Sequence, residues 1–241
     1  MKISLSAICC LGLILTFSFS CADKLTYPSD VHTNTFPLRI GNSWVYEEKV
    51  ITVPFNIPSL ADTVEFSRHR WVTSIDTIYG TIQSYTVDDT IYYIDRPDIQ
   101  RERHWLVVDD TSMQEYGQGL TQPGTDTFTV FMHQNPYLLL RFALIEGKTW
   151  SYPLPPWTVE KTVSGYEELE CNGTLINCDK ITTTLVANEN RQQRLTEWYS
   201  NIGLIRSIYG PIRQNYHDST GAYDSLHIYY NFELIDYHII N

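Results

Sequence analysis

Two segments of this 241-residue chain carry one pattern, F-x-L-x-x-G-x-x-W-x-Y. The first runs through Phe36, Leu38, Gly41, Trp44 and Tyr46, and the second through Phe142, Leu144, Gly147, Trp150 and Tyr152. Matched positions at identical spacing constrain the local fold twice over. Phe and Leu stand two apart, as do Trp and Tyr, and residues two apart share one face of a strand. The glycine between them supplies a positive φ or a close approach in a tight turn. The predicted unit is a strand, a turn and a return strand, with the Trp–Tyr pair plugging one end of a core. The alternative is a pair of aromatic platforms for a ligand.

The rest of the chain reads the same way. Leu226, Ile228, Tyr230, Phe232 and Leu234 alternate with His227, Tyr229, Asn231 and Glu233, the pattern of a strand with one face on a core. Residues 181–187 alternate similarly. Tyr79-Gly80, Asn172-Gly173, Asn201-Ile202-Gly203 and Ser219-Thr220-Gly221 punctuate such runs as turns. Short connections favour antiparallel pairing, because parallel strands need long crossovers. About eleven strands are expected on these signals. The fold class predicted is all-β with little helix: an antiparallel meander forming a curved sheet, open barrel or sandwich. Residues 36–241 suit one such domain, since all-β domains often reach this size as one unit. Residues 109–127, rich in Gly, Gln, Ser and Thr, read as the longest loop. The apolar run 135–143 admits a short helix, because periodicity alone does not assign it.

The N-terminus reads as an address. Lys2 is the only charge before Cys21, and residues 3–19 are apolar or small, which is the pattern of a secretory signal over residues 1–20. The run is shorter than the roughly 20 apolar residues of a membrane span. No later window does better; the best, 137–145, is interrupted by Arg141. Ser18 and Ser20 place small residues before Cys21, and the cysteine after the cleavage point makes the segment resemble a bacterial lipoprotein signal. That resemblance implies acylation of Cys21. It departs from the usual pattern in having Ser at both small positions. Residues 21–35 are polar and read as a tether. More than one acyl chain on Cys21 would hold the protein at a membrane, at roughly 0.8 kcal/mol per buried methylene. The expected location is the bacterial cell envelope, on the periplasmic side or the cell surface.

Three pieces resemble a broad group of uncharacterised bacterial envelope lipoproteins and secreted proteins. Phe36-Pro37-Leu38 with Gly41-Asn42-Ser43-Trp44-Val45-Tyr46 looks like their opening PL-x-x-G-N-x-W-x-Y segment. Asn172 to Ile181 resembles a hairpin of the same group, and Glu197 to Arg206 a strand–turn–strand, with Asn201-Ile202 in place of the usual Gly-Val. The resemblance implies a β-rich envelope protein and carries over no catalytic residue.

Chemistry is harder to find. Cys9 and Cys10 lie in the signal, which leaves Cys171 and Cys178. In an oxidising compartment two readings stay open: one disulfide closing a hairpin, or two free thiols. The seven histidines (32, 69, 104, 133, 217, 227 and 238) show no metal-ligand spacing, so no metal or cofactor is expected. On a strand, Arg101 and Arg103 share one face and Glu102 and His104 the other. An acid–base pair is conceivable there, but a solvated face with ion pairs is the preferred reading. Asp88-Asp89 and Asp109-Asp110 read as turn acids. Asp218 to Asp224 resembles a calcium loop without its distal Glu and reads as a hairpin turn.

With 17 basic against 28 acidic residues, a net charge of −11, nucleic acid and anionic lipid are disfavoured as partners. Three functions remain. The first is a non-enzymatic envelope lipoprotein with a binding or structural domain, whose partner is an envelope protein, a glycan or a lipid. The second is a carrier of an acyl chain or other apolar ligand, with Trp198, Tyr230 and Phe232 lining a cavity. The third is a glycan-active hydrolase, which needs two carboxylates converging in a cleft.

Overall fold

The computed structural model describes residues 36–54, 61–94, 99–121, 125, 127–187, 190–217 and 223–240. The expected signal, the anchor Cys21, the tether and most of the 218–224 turn lie outside these residues. Twelve strands form one antiparallel sheet: β1 (Ser43–Pro54), β2 (Asp62–Ile78), β3 (Ile82–Tyr93), β4 (Ile99–Val108), β5 (Ser112–Thr121), β6 (Phe128–Arg141), β7 (Thr149–Leu154), β8 (Trp157–Cys171), β9 (Thr174–Ala187), β10 (Asn190–Ser200), β11 (Gly203–His217) and β12 (Tyr223–His238). The order is β6-β5-β4-β3-β2-β1-β12-β11-β10-β9-β8-β7. Every strand pairs with its neighbour in sequence except β6 and β7, and β1 pairs with β12. The sheet is therefore almost a closed barrel, open along one seam. Two contacts bridge that seam: Trp150 donates its indole N–H to the Leu138 carbonyl at 3.1 Å, and the Tyr137 and Tyr152 rings stack with centroids 5.6 Å apart.

The repeated motif opens each six-stranded half. Gly41 has φ 94° and Gly147 has φ 83°, conformations that a side chain would strain. Gly41 N–H donates to Val72 O at 3.0 Å, and Val72 N–H returns to Asn42 O at 2.9 Å. In the second half Gly147 N–H donates to Val163 O at 2.8 Å, and Val163 N–H returns to Lys148 O at 2.9 Å. A register shift follows Val72 in β2 and Val163 in β8. The side chain after each glycine closes the turn as well: Asn42 Nδ2 donates to Pro37 O at 2.6 Å, and Lys148 Nζ to Ala143 O at 2.9 Å. The expected strand before the glycine does not form. Phe36 and Leu38 lie in a lead-in segment, and the first strand begins only at Ser43. The motif is a turn clipped onto the second strand of each half, and it builds the same half-barrel twice.

Trp44 and Tyr46 are almost fully buried; Trp44 donates to Ile202 O at 2.6 Å, and Tyr46 stacks on Phe232 at 4.2 Å. Trp150 is buried too. These rings, with Leu38, Val72, Val87, Leu140, Leu144, Val163 and Ile181, belong to one core cluster on the inner face.

Two expectations fail for one reason. Residues 109–127 are mostly β5, and 135–141 end β6, with a bend at 142–143, rather than forming a helix. Gly117 and Gly119 are not loop glycines. A Cβ on Gly117 would sit 2.6 Å from Met132 Sδ and 2.9 Å from Phe131 O, so glycine marks a close approach between strands. The turn to β5 takes only residues 109–111. There Asp109 behaves as expected, accepting from Thr111 N–H at 2.7 Å and Ser112 N–H at 2.8 Å.

Candidate functional site

Strand alternation carries an unusual set of charges into the barrel. The inner face of β2 presents Arg68 and Arg70 before Val72. That of β3 presents Asp89 between Val87 and Ile91, and that of β4 presents Glu102 and His104 before Leu106. Register places Arg70 opposite Asp89 and Asp89 opposite Glu102. Arg70 grips Asp89 with two parallel bonds, Nε to Oδ1 and Nη2 to Oδ2, both 2.7 Å. Arg68 Nη1 reaches Asp89 Oδ2 at 2.9 Å and Glu102 Oε2 at 2.7 Å, while its Nη2 donates to Glu48 at 3.0 Å. His104 Nδ1 lies 2.6 Å from Glu115 on β5, and its Nε2 faces Asp89 and Glu102 at 3.8 and 3.9 Å.

Asp89 has no exposed surface. Burial alone would raise its pKa, but the charge and fork of Arg70 overcome that and hold the carboxyl down at about 2. Glu102 is also held below the ordinary range, against burial, by His104 and Arg68. Burial would lower His104; the surrounding carboxylates, with Glu115 in hydrogen-bond contact, push it up to about 9. At neutral pH the cluster therefore carries ionised acids, two arginines and an imidazolium. Such a network costs desolvation, and it persists because each charge is matched at short range.

Sequence reasoning put Glu102 and His104 on one face, gave that face the wrong surroundings, and missed Arg68, Arg70 and Glu115. Glu102 and His104 do share a face, yet that face is the barrel interior and not a solvated surface. Asp88 and Asp89 are mid-strand residues of β3, not turn acids. The available signal was an acid in the Val87–Asp89–Ile91 alternation, matched by Arg68–Arg70–Val72 on the neighbouring strand.

The ligand atoms of Asp89, Glu102 and His104 lie within 4.8 Å of one another, close enough to hold a metal ion. The position is already taken by a cation. Arg68 Nη1 sits between the Asp89 and Glu102 oxygens, and a divalent ion would have to displace it.

The second half shows what the fold itself demands at these positions. Val163 corresponds to Val72, so Lys161 on β8 corresponds to Arg70, and the register gives Lys161–Thr183–Leu195 where the first half has Arg70–Asp89–Glu102. Among the described residues one fully buried ion pair occurs there: Lys161 Nζ donates to Glu197 at 2.7 Å, and Tyr199 OH to the same carboxylate at 2.7 Å. A cavity of about 170 Å³ lies between the halves' inner walls, with Phe36, Leu38, Tyr46 and Leu139 on apolar sides and Arg70 and His104 on a polar one. Tyr230, Phe232 and Trp198 do not line it. Phe232 packs on Tyr46, and Trp198 donates to Glu167 at 2.8 Å beneath the Lys180 ammonium.

Cys171 and Cys178 are free thiols, both buried. Register explains it. Cys178 lies opposite Glu167, four positions before Cys171, so the cysteines stand about 13 Å apart along the ladder. A disulfide needs Cα atoms within about 7 Å.

No family model and no curated protein matches the sequence. Among solved structures, a candidate lipoprotein from Parabacteroides distasonis is 13% identical with a TM-score of 0.37, over 84% of this chain and 97% of that one. A candidate exported protein with a YmcC-like fold from Bacteroides fragilis is 10% identical with a TM-score of 0.36, over 86% and 99%. A candidate outer membrane lipoprotein-sorting protein domain from Vibrio parahaemolyticus is 9% identical with a TM-score of 0.24, over 83% and 85%. Likenesses this weak transfer no residue role.

Proposed function

We propose that this chain is a non-enzymatic lipoprotein of the bacterial cell envelope, anchored by acylated Cys21, whose β-barrel is a binding or structural module. The observation that carries the reading is the filled barrel interior. Among the described residues, packed aromatic and aliphatic side chains and matched charges leave a cavity of about 170 Å³ between the inner walls, whereas pockets for small-molecule ligands run to roughly 300–1,000 Å³. An acyl chain would have no room without repacking the core, which weighs against the carrier. The converging carboxylates weigh against the hydrolase: Asp89 and Glu102 are held ionised by arginines, and neither is a protonated acid at neutral pH. The address rests on Lys2, the apolar run and Cys21, together with the resemblance of the Phe36–Tyr46 segment to the opening of envelope lipoproteins.

Expression in a bacterial host, with intact-mass analysis of the N-terminal peptide and membrane fractionation, tests this directly. Acylated Cys21 and loss of membrane association in Cys21→Ser are expected. A free cysteine N-terminus, or unchanged fractionation of Cys21→Ser, would sink the anchor. A lipid co-purifying at one per protein would sink the filled-barrel reading in favour of a carrier.

A further inference from the structure

The outer face of the first half carries a second feature. Register aligns Trp71 on β2, Asp88 on β3, Arg103 on β4 and Gly119 on β5 in one row across four strands. Gly119 leaves a gap in that row, and Phe128 at the start of β6 folds into it; a Cβ on Gly119 would lie 3.3 Å from the Phe128 ring. The Arg103 guanidinium sits 4.6 Å from the centre of that ring and grips Asp88 with two bonds, Nε to Oδ1 at 2.7 Å and Nη2 to Oδ2 at 2.8 Å. Stacking on one side and a fork on the other fix Arg103 in place. Trp71, Tyr92 and Phe128 then line an open pocket of about 260 Å³, with Thr90 also in its lining and the Asp88–Arg103 pair on one wall. Arg101 lies at its edge, while the side chains of Asp89 and Glu102 turn to the inner face.

The other half shows that the sheet does not need these residues. Because Val163 corresponds to Val72, the row Trp71–Asp88–Arg103 corresponds to Thr162–Thr182–Thr196. A ladder of threonines serves the same backbone in the same fold, since β-branched residues pack well on a pleated surface. The Trp–Asp–Arg row is therefore an addition to the first half, beyond what the barrel requires.

We infer that this pocket binds a neutral saccharide ring. A pyranose presents C–H faces that stack on aromatic rings and a rim of hydroxyls that each donate and accept. Trp71 and Tyr92 supply aromatic surface in the lining. The Asp88–Arg103 pair offers both hydrogen-bond senses from a rigid plane: each Asp88 oxygen keeps a lone pair beyond its bond to Arg103, and Arg103 keeps N–H donors that Asp88 does not use. The pair is neutral overall, and the chain carries a net charge of −11, which disfavours an anionic glycan. At about 260 Å³ the pocket lies just below the roughly 300–1,000 Å³ of drug-sized ligand pockets, which limits it to a single ring rather than a longer ligand. The inference deepens the binding-module reading and does not depend on whether Cys21 is acylated.

The test uses the full chain in detergent, together with its Cys21→Ser form, titrated with chitotetraose, maltotetraose and cellotetraose and followed by tryptophan fluorescence and calorimetry. Tetragalacturonate serves as the anionic control. Binding of at least one neutral oligomer with a Kd of about 1 mM or tighter is expected. Trp71→Ala should weaken it about tenfold or more, Asp88→Asn should weaken it with the fold retained, and Thr162→Ala should leave it unchanged. Thermal melts separate loss of binding from loss of fold, and Asp88→Asn keeps the test alive if Trp71→Ala does not fold. The inference is overturned if no neutral oligomer binds, if only the anionic control binds, or if folded Trp71→Ala and Asp88→Asn bind as well as the parent. Binding by Cys21→Ser with loss of its membrane association separates this result from that of the anchor.

Discussion

Asp89→Asn probes the interior cluster most sharply. The substitution keeps the shape of the side chain and removes its charge. Asp89 is fully buried and accepts two bonds from Arg70 and one from Arg68. Asparagine has one oxygen and an NH2 group, so at least one arginine donor meets another donor. Two buried guanidiniums also lose their shared counter-charge. Breaking a buried pair by removing one partner costs about 3–5 kcal/mol, against a total stability of roughly 5–15 kcal/mol. With a urea slope near 2–3 kcal/mol/M, the midpoint should fall by roughly 1–2 M. The pH dependence carries a second signature. Asp89 is depressed from 3.8 to about 2, so its contribution is present above pH 3.8 and is lost as pH falls through about 2. His104 is raised from 6.5 to about 9, so its contribution is present below pH 6.5 and is lost as pH rises through 9. In Asp89→Asn the part of the acid loss that comes from Asp89 should vanish, leaving that of Glu102. The alkaline loss should begin at lower pH, because His104 loses a carboxylate 3.8 Å from Nε2. Urea titrations at pH 3, 7 and 9 read all three effects. A midpoint within about 0.3 M of the parent at pH 7 (under about 1 kcal/mol at that slope) would refute the claim that the cluster is tightly coupled.

Three further outcomes follow from the packing. Lys161→Met should destabilise by about 3–5 kcal/mol because Glu197 is left buried, and adding Glu197→Leu should recover most of that; chemical denaturation that shows the double variant no better than the single would contradict the pairing. Gly117→Ala should cost about 1–3 kcal/mol, since its Cβ meets Met132 and the Phe131 carbonyl, and a thermal melt matching the parent would place the strands further apart. Cys178, pushed up to about 12 by burial first and then by nearby acids, should resist alkylation at pH 8 until denaturant is added; rapid labelling of the native protein would overturn its burial.

The two halves of the barrel separate what was legible from what was not. Alternation and turn signals are local, so the all-β class, the antiparallel order and the strand ends at Asn172-Gly173 and Asn201-Ile202 could be read from neighbours in the chain. The repeated motif could be read as well, and so could the sharing of one strand face by Glu102 and His104, though not that the face points inward. What a strand face meets is not local. Glu102 and His104 lie among other charges because β2, β3, β4 and β5 bring Arg68, Arg70, Asp89 and Glu115 to the same wall, and no spacing within β4 records that. Gly117 and Gly119 looked like loop residues until Met132 and Phe128 were seen filling their places. Cys171 and Cys178 looked bridgeable until the hairpin register separated them.

By itself, the sequence determined an all-β antiparallel chain built around two copies of one aromatic turn. Only the tertiary structure decided that these copies begin two matching six-stranded halves, that the halves join at β1 and β12 and stay open between β6 and β7, and that the described inner face carries a packed core beside matched charges. The physical reason is that periodicity sets which side chains share a face, whereas pairing partners and sheet closure set whether that face meets water, another charge or a packed core.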